Sequence, residues 1–378
     1  MRIAVLANLK HNAPTWDGMS PDQWDDLDSP KTVEALIAAL ESGGHIAAFF
    51  EASILPPHNL VEKLTAFQPD LCFNIAESHF GDGREAQIPA VLEMLRLPYT
   101  GSKVLTLALA LDKPMTKRVL CYHGLPTPAF QVFEQADESI DEDLLDTNGE
   151  LHFPLFVKPS REGTSMGISA ESIVHSVAEL RAQVARQLHL YSQPILVEQY
   201  IEGREITIGM VGNLRLTVAR RINERTAPNV LPDTLVFLPP LEVNLAAYDA
   251  SEAGIYTNRM KVEMAEAFHY VCPAPLEPEL HDQLNLLAAA VFRVTGCRDV
   301  ARVDFRLDAA HDNAPYILEV NPLPGLNPGY SDLCIQAQTA GWSYERLINE
   351  IVDLAAARQG VPDDDPMVFS GRHWGKYL

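Results

Sequence analysis

The chain has 378 residues, 47% hydrophobic and 21% charged, with 51 acidic against 29 basic side chains and a formal net charge of −22. That length implies two or three domains, and that charge excludes a general nucleic-acid surface, which needs clustered cations. The apolar run at the N-terminus is too short for a signal or membrane segment and no 18-residue apolar stretch follows, so a cytoplasmic protein without membrane or nucleic-acid partners is expected. Cysteines 72, 121, 272, 297 and 334 are odd in number and form no C-x-x-C, which predicts reduced, mostly buried thiols.

Residues 3–7 read as a buried strand. Ser29 and Pro30 cap and open a helix that runs to Glu41 and closes at Gly43-Gly44. A strand at 46–50, a helix at 60–67, a strand at 70–75 and a helix at 85–95 follow. That alternation predicts a parallel doubly wound unit, with ligands beyond the strand C-termini. Asn8–Lys10 and the loop 77–84 lie there, the latter carrying Glu77, His79, Asp82 and Arg84 beside glycine. A polar surface loop would look the same. Residues 11–28, with Trp16 and Trp24, form a long loop able to fold over a site.

After Leu111-Asp112-Lys113, Pro114 opens a helix predicted over 114–123, and Gly124 to Pro128 extends the chain. Residues 153–159 form a strand ending at Lys158 and Pro159. Directly after it comes Ser160-Arg161-Glu162-Gly163-Thr164-Ser165-Met166-Gly167-Ile168. Small residues hung from a strand can present backbone N–H groups to phosphate, with Lys158 as a point charge beside them. This is not the P-loop pattern, and a flexible turn is the plain reading of the loop alone. A helix over 174–190 buries the stripe Val177, Leu180, Val184 and Leu188. Residues 195–206 are strand, connector, strand, with Glu198 and Glu205 at either side of a connector whose backbone can read adenine edges and ribose hydroxyls.

Two apolar runs, 301–307 and 315–320, flank the polar turn 308–313 and predict a hairpin. Alternation places Arg302 with Asp304 on one face of the first strand, and Glu319 with Asn321 on one face of the second. Paired, they gather hard oxygen ligands and a guanidinium, as Mg-nucleotide chemistry requires. An amphipathic hairpin with a solvated charged face is the alternative. A helix over 347–357 precedes a tail, 361–378, rich in Asp, Pro and aromatics.

The order of these motifs resembles the ATP-grasp superfamily, and within it the D-alanine–D-alanine ligase branch. The matching residues are Leu111-Asp112-Lys113, Val157 to Gly167, Val197-Glu198-Gln199-Tyr200, Gly203-x-Glu205, Tyr256 to Lys261, Tyr270-x-Cys272-Pro273-Ala274, Gly296-Cys297, Arg302-x-Asp304 and Leu318-Glu319-x-Asn321-Pro322-x-Pro324-Gly325. The resemblance implies an α/β ATP-grasp fold, α+β in its ATP-binding part, in which an N-terminal doubly wound unit (1–101) precedes central (102–201) and C-terminal (202–360) subdomains that clasp ATP. It implies that Lys113, Lys158, Lys261 and the loop at Gly163, Thr164 and Ser165 contact phosphates. Glu198, Gln199, Tyr200, Ile201 and Glu205 would hold adenine and ribose. Asp304, Glu319 and Asn321 would bind two Mg²⁺ ions, or Mn²⁺, with Arg302 and Gly325 at the acyl centre. A homodimer through the N-terminal unit, small amino-acid-like substrates and an acyl-phosphate route to an amide are also implied.

Recognition of D-alanine is where the likeness departs. The family's glycine pair and Ser-x-Glu is Ala7-Asn8-Leu9-Lys10-His11-Asn12 here, and its His-Gly-x-x-Gly-Glu-Asp-Gly loop is Ala76 to Glu85. The tyrosine after the lid lysine is Val262, and the segment for the second D-alanine is Leu326 to Leu333. Altered substrates are therefore expected, with Glu77, His79 and Arg84 on the acyl side and Tyr330 and Ser331 on the amine side. An authentic D-alanine–D-alanine ligase and a catalytically silent ATP-binding regulator are the alternatives.

Overall fold

The structure is a computed structural model that describes residues 1–141, 144–145, 152–214, 234–243 and 270–360. Lys261, Val262, most of the segment 223–260 and the tail 361–378 lie outside the described residues.

Strands β1 (Arg2–Ala7), β2 (Ile46–Glu51) and β3 (Leu71–Asn74) form a parallel sheet in the order β2-β1-β3. Helix α1 (Pro30–Ser42) starts where expected, with the Ser29 side chain accepting from the Thr32 N–H, and α2 spans Leu60–Phe67. The helix expected from 85 begins as a short 3₁₀ turn, Arg84–Ala86, before α3 (Gln87–Leu95). Helix α4 (Val104–Leu111) was not anticipated: its run is apolar almost throughout and offers no period to read. Helix α5 (Lys113–Tyr122) follows, capped by the Asp112 carboxylate on the Met115 N–H at 2.9 Å.

The second sheet is antiparallel, in the order β4-β7-β5-β6. Its strands are β4 (Phe130–Phe133), β5 (Leu155–Pro159), β6 (Ile173–Val174) and β7 (Ile195–Gln199). Helix α6 (Val177–Tyr191) covers one face with Leu180 and Val184, while Val177, expected in that stripe, is exposed at the first turn. This sheet has a core of its own, built from residues such as Phe133, Leu155, Val157, Leu180 and Ile195.

The third sheet is centred on β8 (Glu205–Gly212), β12 (Val300–Asp308) and β13 (Ala314–Asn321). Short strands β9 (Leu235–Phe237), β10 (Leu241–Val243) and β11 (Tyr270–Val271) complete it. Helix α7 (Pro278–Thr295) buries Leu284, Ala288, Val291 and Phe292 against it. Ala110 of α4, Leu120 of α5 and Leu125 belong to that same core. Helices α8 (Asp332–Thr339) and α9 (Tyr344–Gly360) instead join the core of the first sheet, where Leu333, Leu347 and Ile351 meet Val5, Leu36 and Phe73. Asp299, fully buried, ties these parts together. It accepts from the Gly101 N–H at 2.8 Å, the Asn213 amide at 2.8 Å and the Arg358 guanidinium at 2.6 Å. All five cysteines are free, three of them buried, with Cys121 exposed and Cys272 partly so.

Candidate active site

The hairpin β12–β13 sets the centre. Arg302 pairs with Asn321 and Asp304 with Glu319, directly across the ladder, and the register shifts immediately after Asp304. Such a bulge bends the strand and re-aims the neighbouring side chains. Asp304 accepts from Thr207 Oγ1 at 2.7 Å, Asn321 Nδ2 at 2.9 Å and Arg302 at 3.0 Å. Arg302 also holds Asp332, the first residue of α8, at 2.7 Å. Burial raises the Asp304 carboxyl to about 6, opposed by Arg302 and reinforced by Glu319. Lys113, at the start of α5, donates to the Glu162 carbonyl at 2.6 Å and lies 3.3 Å from Glu319.

Lys158 and Glu198 belong to adjacent strands, and the pairing of Phe156 with Glu198 and Lys158 with Leu196 puts both on one face. The Glu198 carboxylate sits between two ammonium groups, Lys158 and Lys117, each at 2.6 Å; the Lys117 contact is not aligned as a hydrogen bond. Lys117 is fully buried and also donates to Thr127 at 2.7 Å. Burial pushes Glu198 up, but the two lysines outweigh it and hold the carboxyl below its ordinary value. Burial likewise lowers Lys117, against the attraction of Glu198. The Glu198 side chain, expected at adenine or ribose, borders the first cavity described below and is at the same time engaged with these two lysines.

The loop after β5 is held from outside. Thr164 and Ser165 have φ of 47° and 56°, and Gly167 has φ of 75°. The Gly167 N–H donates to Asp22 Oδ2 at 2.9 Å, and the Tyr191 hydroxyl donates to the same oxygen at 3.0 Å. A Cβ at Gly167 would come within 2.7 Å of the Pro159 ring, so only glycine fits. The long loop 11–28 therefore lies over the Gly163–Gly167 turn.

Two cavities meet here. The first, about 90 Å³, is bordered by Lys158, Ser165, Gln199, Tyr200, Ile201 and Glu205. The second, about 250 Å³, is bordered by Glu77, Thr164, Asn321, Gly325, Tyr330 and Ser331. Lys113, Gly163, Arg302 and Glu319 border both.

Two expected substrate residues lie elsewhere. Arg84 donates to the Arg161 carbonyl at 2.7 Å and pairs with Glu162 at 3.0 Å and Asp26 at 3.2 Å, joining the N-terminal unit to the loop after β5. His79 stacks edge-on against Trp24 with centroids 5.2 Å apart, in a cluster with Trp16 and Phe80. Neither borders the two cavities. Sequence reading missed Lys117, Asp332, Asp28 and Glu85. Lys117 was detectable in principle, since it lies four residues after Lys113 on one helix face.

Among the described residues, no group of three His, Cys, Asp or Glu side chains forms a metal cluster. The donor set here is different: two carboxylates and an amide, hard oxygen donors that suit Mg²⁺ better than a softer metal.

The profile of the family described as D-ala D-ala ligase C-terminus matches residues 119–231 and 238–353. An uncharacterized protein, y4sG, of Sinorhizobium fredii is 34% identical over 95% of this chain and 98% of its own length. The D-alanine–D-alanine ligase of Pelotomaculum thermopropionicum is 32% identical over 88% of this chain and 93% of its own. Among solved structures, the D-alanine–D-alanine ligase of Bacillus anthracis complexed with ATP shares the fold at a TM-score of 0.66 and 22% identity, over 95% of this chain and 98% of that one. The chain belongs to the D-alanine–D-alanine ligase family. It is an ATP-grasp protein and an ATP-dependent ligase of the D-alanine–D-alanine ligase-like kind. No helix among the described residues is long and apolar enough to cross a membrane.

Proposed function

We propose that the chain joins the carboxylate of one small amino-acid-like molecule to the amine of another, with ATP as phosphoryl donor. The observation that carries this reading is the junction at Lys113, Arg302 and Glu319, which borders both cavities. A nucleotide in the first cavity would direct its terminal phosphoryl to the point where a carboxylate in the second arrives. Adenine lies along Gln199, Tyr200 and Ile201, with Glu205 toward the ribose. Lys113, Lys158 and the Gly163–Ser165 turn take the phosphates; Lys261, outside the described residues, is assigned to them by the family resemblance alone.

A substrate carboxylate oxygen bonds to the γ-phosphorus as its bond to the ADP oxygen breaks. The amine nitrogen then bonds to the acyl carbon, phosphate leaves with the electron pair of the C–O bond, and the amine gives up a proton. The residues chiefly position charge, since phosphoryl transfer asks for little covalent help. Arg302 and the Gly325 amide stabilise the oxygen charge that develops at the acyl carbon. Asp304, Glu319 and Asn321 would hold Mg²⁺, which when bound neutralises phosphate charge.

The substrates differ from a D-alanine pair on this reading. Where the family carries its Ser-x-Glu, Asn8 and Asn12 here bond Glu51, Asn12 at 2.7 Å. A second reading, D-alanine itself as substrate, is favoured by the name of the Pelotomaculum relative. Phosphate release from Mg-ATP across D- and L-amino acids, alone and in pairs and with products read by mass, separates the two. In Glu319→Ala, turnover should fall by about 100-fold or more, as for loss of one strong electrostatic contact. Undiminished turnover in that variant would sink the proposal.

A further inference from the structure

On the reading above, in which Lys158 takes phosphate and on which this step rests, we infer that Lys117 is a positioning residue for the nucleotide. It neutralises Glu198 from behind, so that the positive charge of Lys158 is left for the phosphates. Lys117 borders neither cavity, whereas Glu198 and Lys158 both border the first.

The two lysines divide one carboxylate between them. Lys158 Nζ lies 2.6 Å from Glu198 Oε1, and Lys117 Nζ lies 2.6 Å from Oε2. No second carboxylate pairs with either lysine among the described residues. Two ammonium groups on one carboxylate leave a positive charge in excess, although Lys117 is 0% and Lys158 only 5% exposed. A closed Lys158–Glu198 pair would already satisfy the buried acid. Burying a further ammonium is costly unless an anion answers it, and the nucleotide phosphates supply that anion.

Lys117 is also fixed in place. Its Nζ donates to Thr127 Oγ1 at 2.7 Å, and that hydroxyl donates to the Ile317 carbonyl at 2.8 Å. The Ile317 N–H donates back to the Pro126 carbonyl at 2.9 Å. Ile317 lies on β13, the strand that carries Glu319 and Asn321. The Phe130 ring closes another side of the ammonium, its centroid 5.5 Å from Nζ. Held between β7 and β13, this charge has no need to reorient when phosphate arrives. On α5, Lys117 stands one turn after Lys113, so one helix delivers a cation to the junction and another beneath Glu198.

Without Lys117, Lys158 and Glu198 form a neutral pair, and a phosphate meets an ammonium whose charge is already answered. Removing the Glu198 charge as well returns the full charge of Lys158 to the cavity. Charge in this group, rather than bulk at position 117, sets the affinity for phosphate.

The test uses the full chain and titration calorimetry with Mg²⁺ present, comparing ADP with adenosine, which lacks the phosphates. Lys117→Met should weaken ADP by about 10-fold or more and leave adenosine within about 2-fold. Adding Glu198→Gln to that variant should restore most of the ADP affinity. Adenosine is measured in every variant, so that any contact of residue 198 with the base is seen separately. Lys117→Gln is the second variant should the first fail to fold. Lys158→Met tests the reading beneath. Weaker ADP in Lys158→Met with unchanged ADP in Lys117→Met overturns the inference and leaves that reading standing. Equal losses of ADP and adenosine in Lys117→Met, or no recovery in the double variant, also overturn the inference, since Lys117 then only supports the fold. Unchanged ADP binding in Lys158→Met sinks the assignment of phosphate to Lys158, and the inference with it.

Discussion

Replacing Glu198 by glutamine isolates a charge arrangement that the fold cannot easily relax. The carboxylate is 2% exposed and stands 2.6 Å from two ammonium groups, one of them on the fully buried Lys117. Glutamine keeps the shape and removes the charge, leaving two buried cations facing an amide. Removing one partner of a buried pair costs about 3–5 kcal/mol. Lys117 can limit the loss by shedding its proton. Neutralising an ordinary lysine at pH 7 costs about 5 kcal/mol, and Lys117 begins below its ordinary value, so the cap falls near that same range. Urea unfolding of the ligand-free chain should therefore show a loss of about 3–5 kcal/mol. Adding Lys117→Met to that variant should recover most of it, since only Lys158, at the edge of the cavity, then lacks its partner. A loss below about 1 kcal/mol, or no recovery in the double variant, would refute the reasoning.

Two further outcomes are expected. Asp28 and Glu85 lie near 7 in the folded chain, against ordinary values of 3.8 and 4.5. A carboxyl raised on folding holds more protons folded than unfolded, so its contribution is present at low pH and lost as pH rises through about 7. The ligand-free chain should gain about 1–3 kcal/mol between pH 8 and pH 6, seen as a rise in Tm that Asp28→Asn flattens; a flat or falling Tm across that interval would contradict it. Asp22→Ala removes the acceptor for Gly167 and Tyr191. Charge-assisted bonds of this kind are worth about 1.5–3 kcal/mol each, so the turn should open 10-fold or more often. Phosphate release unmatched by amide product should rise accordingly, and full coupling in the variant would show that the loop 11–28 does not guard the site.

Much of this was legible because it depends on short-range rules. Ser29 caps α1 and the polar turn closes the β12–β13 hairpin, so strand alternation alone placed Arg302, Asp304, Glu319 and Asn321 together. What failed to show was whatever depends on long-range packing. Nothing in the strand of Glu198 reveals its partner Lys117, which arrives from α5. Arg84 looked like a substrate cation because its partners, Asp26 and Glu162, lie far off in sequence. Asp28 and Glu85 were not singled out, since an acidic chain offers many carboxylates and periodicity says nothing about a loop wall. Helix α4, apolar but for Thr106, offered no polar face by which to phase it, and only Thr106, Leu107, Ala110 and Leu111 of it are buried.

The separate core of the β4–β7 sheet gives the molecule a division of labour. The first and third sheets share buried helices and are stapled at Asp299, so they are expected to behave as one block. On the proposed function, the β4–β7 sheet, which carries Lys158, is expected to move against the block that carries Lys113, Asp304 and Glu319. The first cavity, at about 90 Å³, is well under the roughly 300 Å³ at which small-molecule sites begin, so on the proposed function it is expected to widen when a nucleotide binds. Asp22 and Arg84 are the two grips across that gap. If those same contacts shut both cavities, nucleotide exchange and product escape are expected to be coupled on the proposed function.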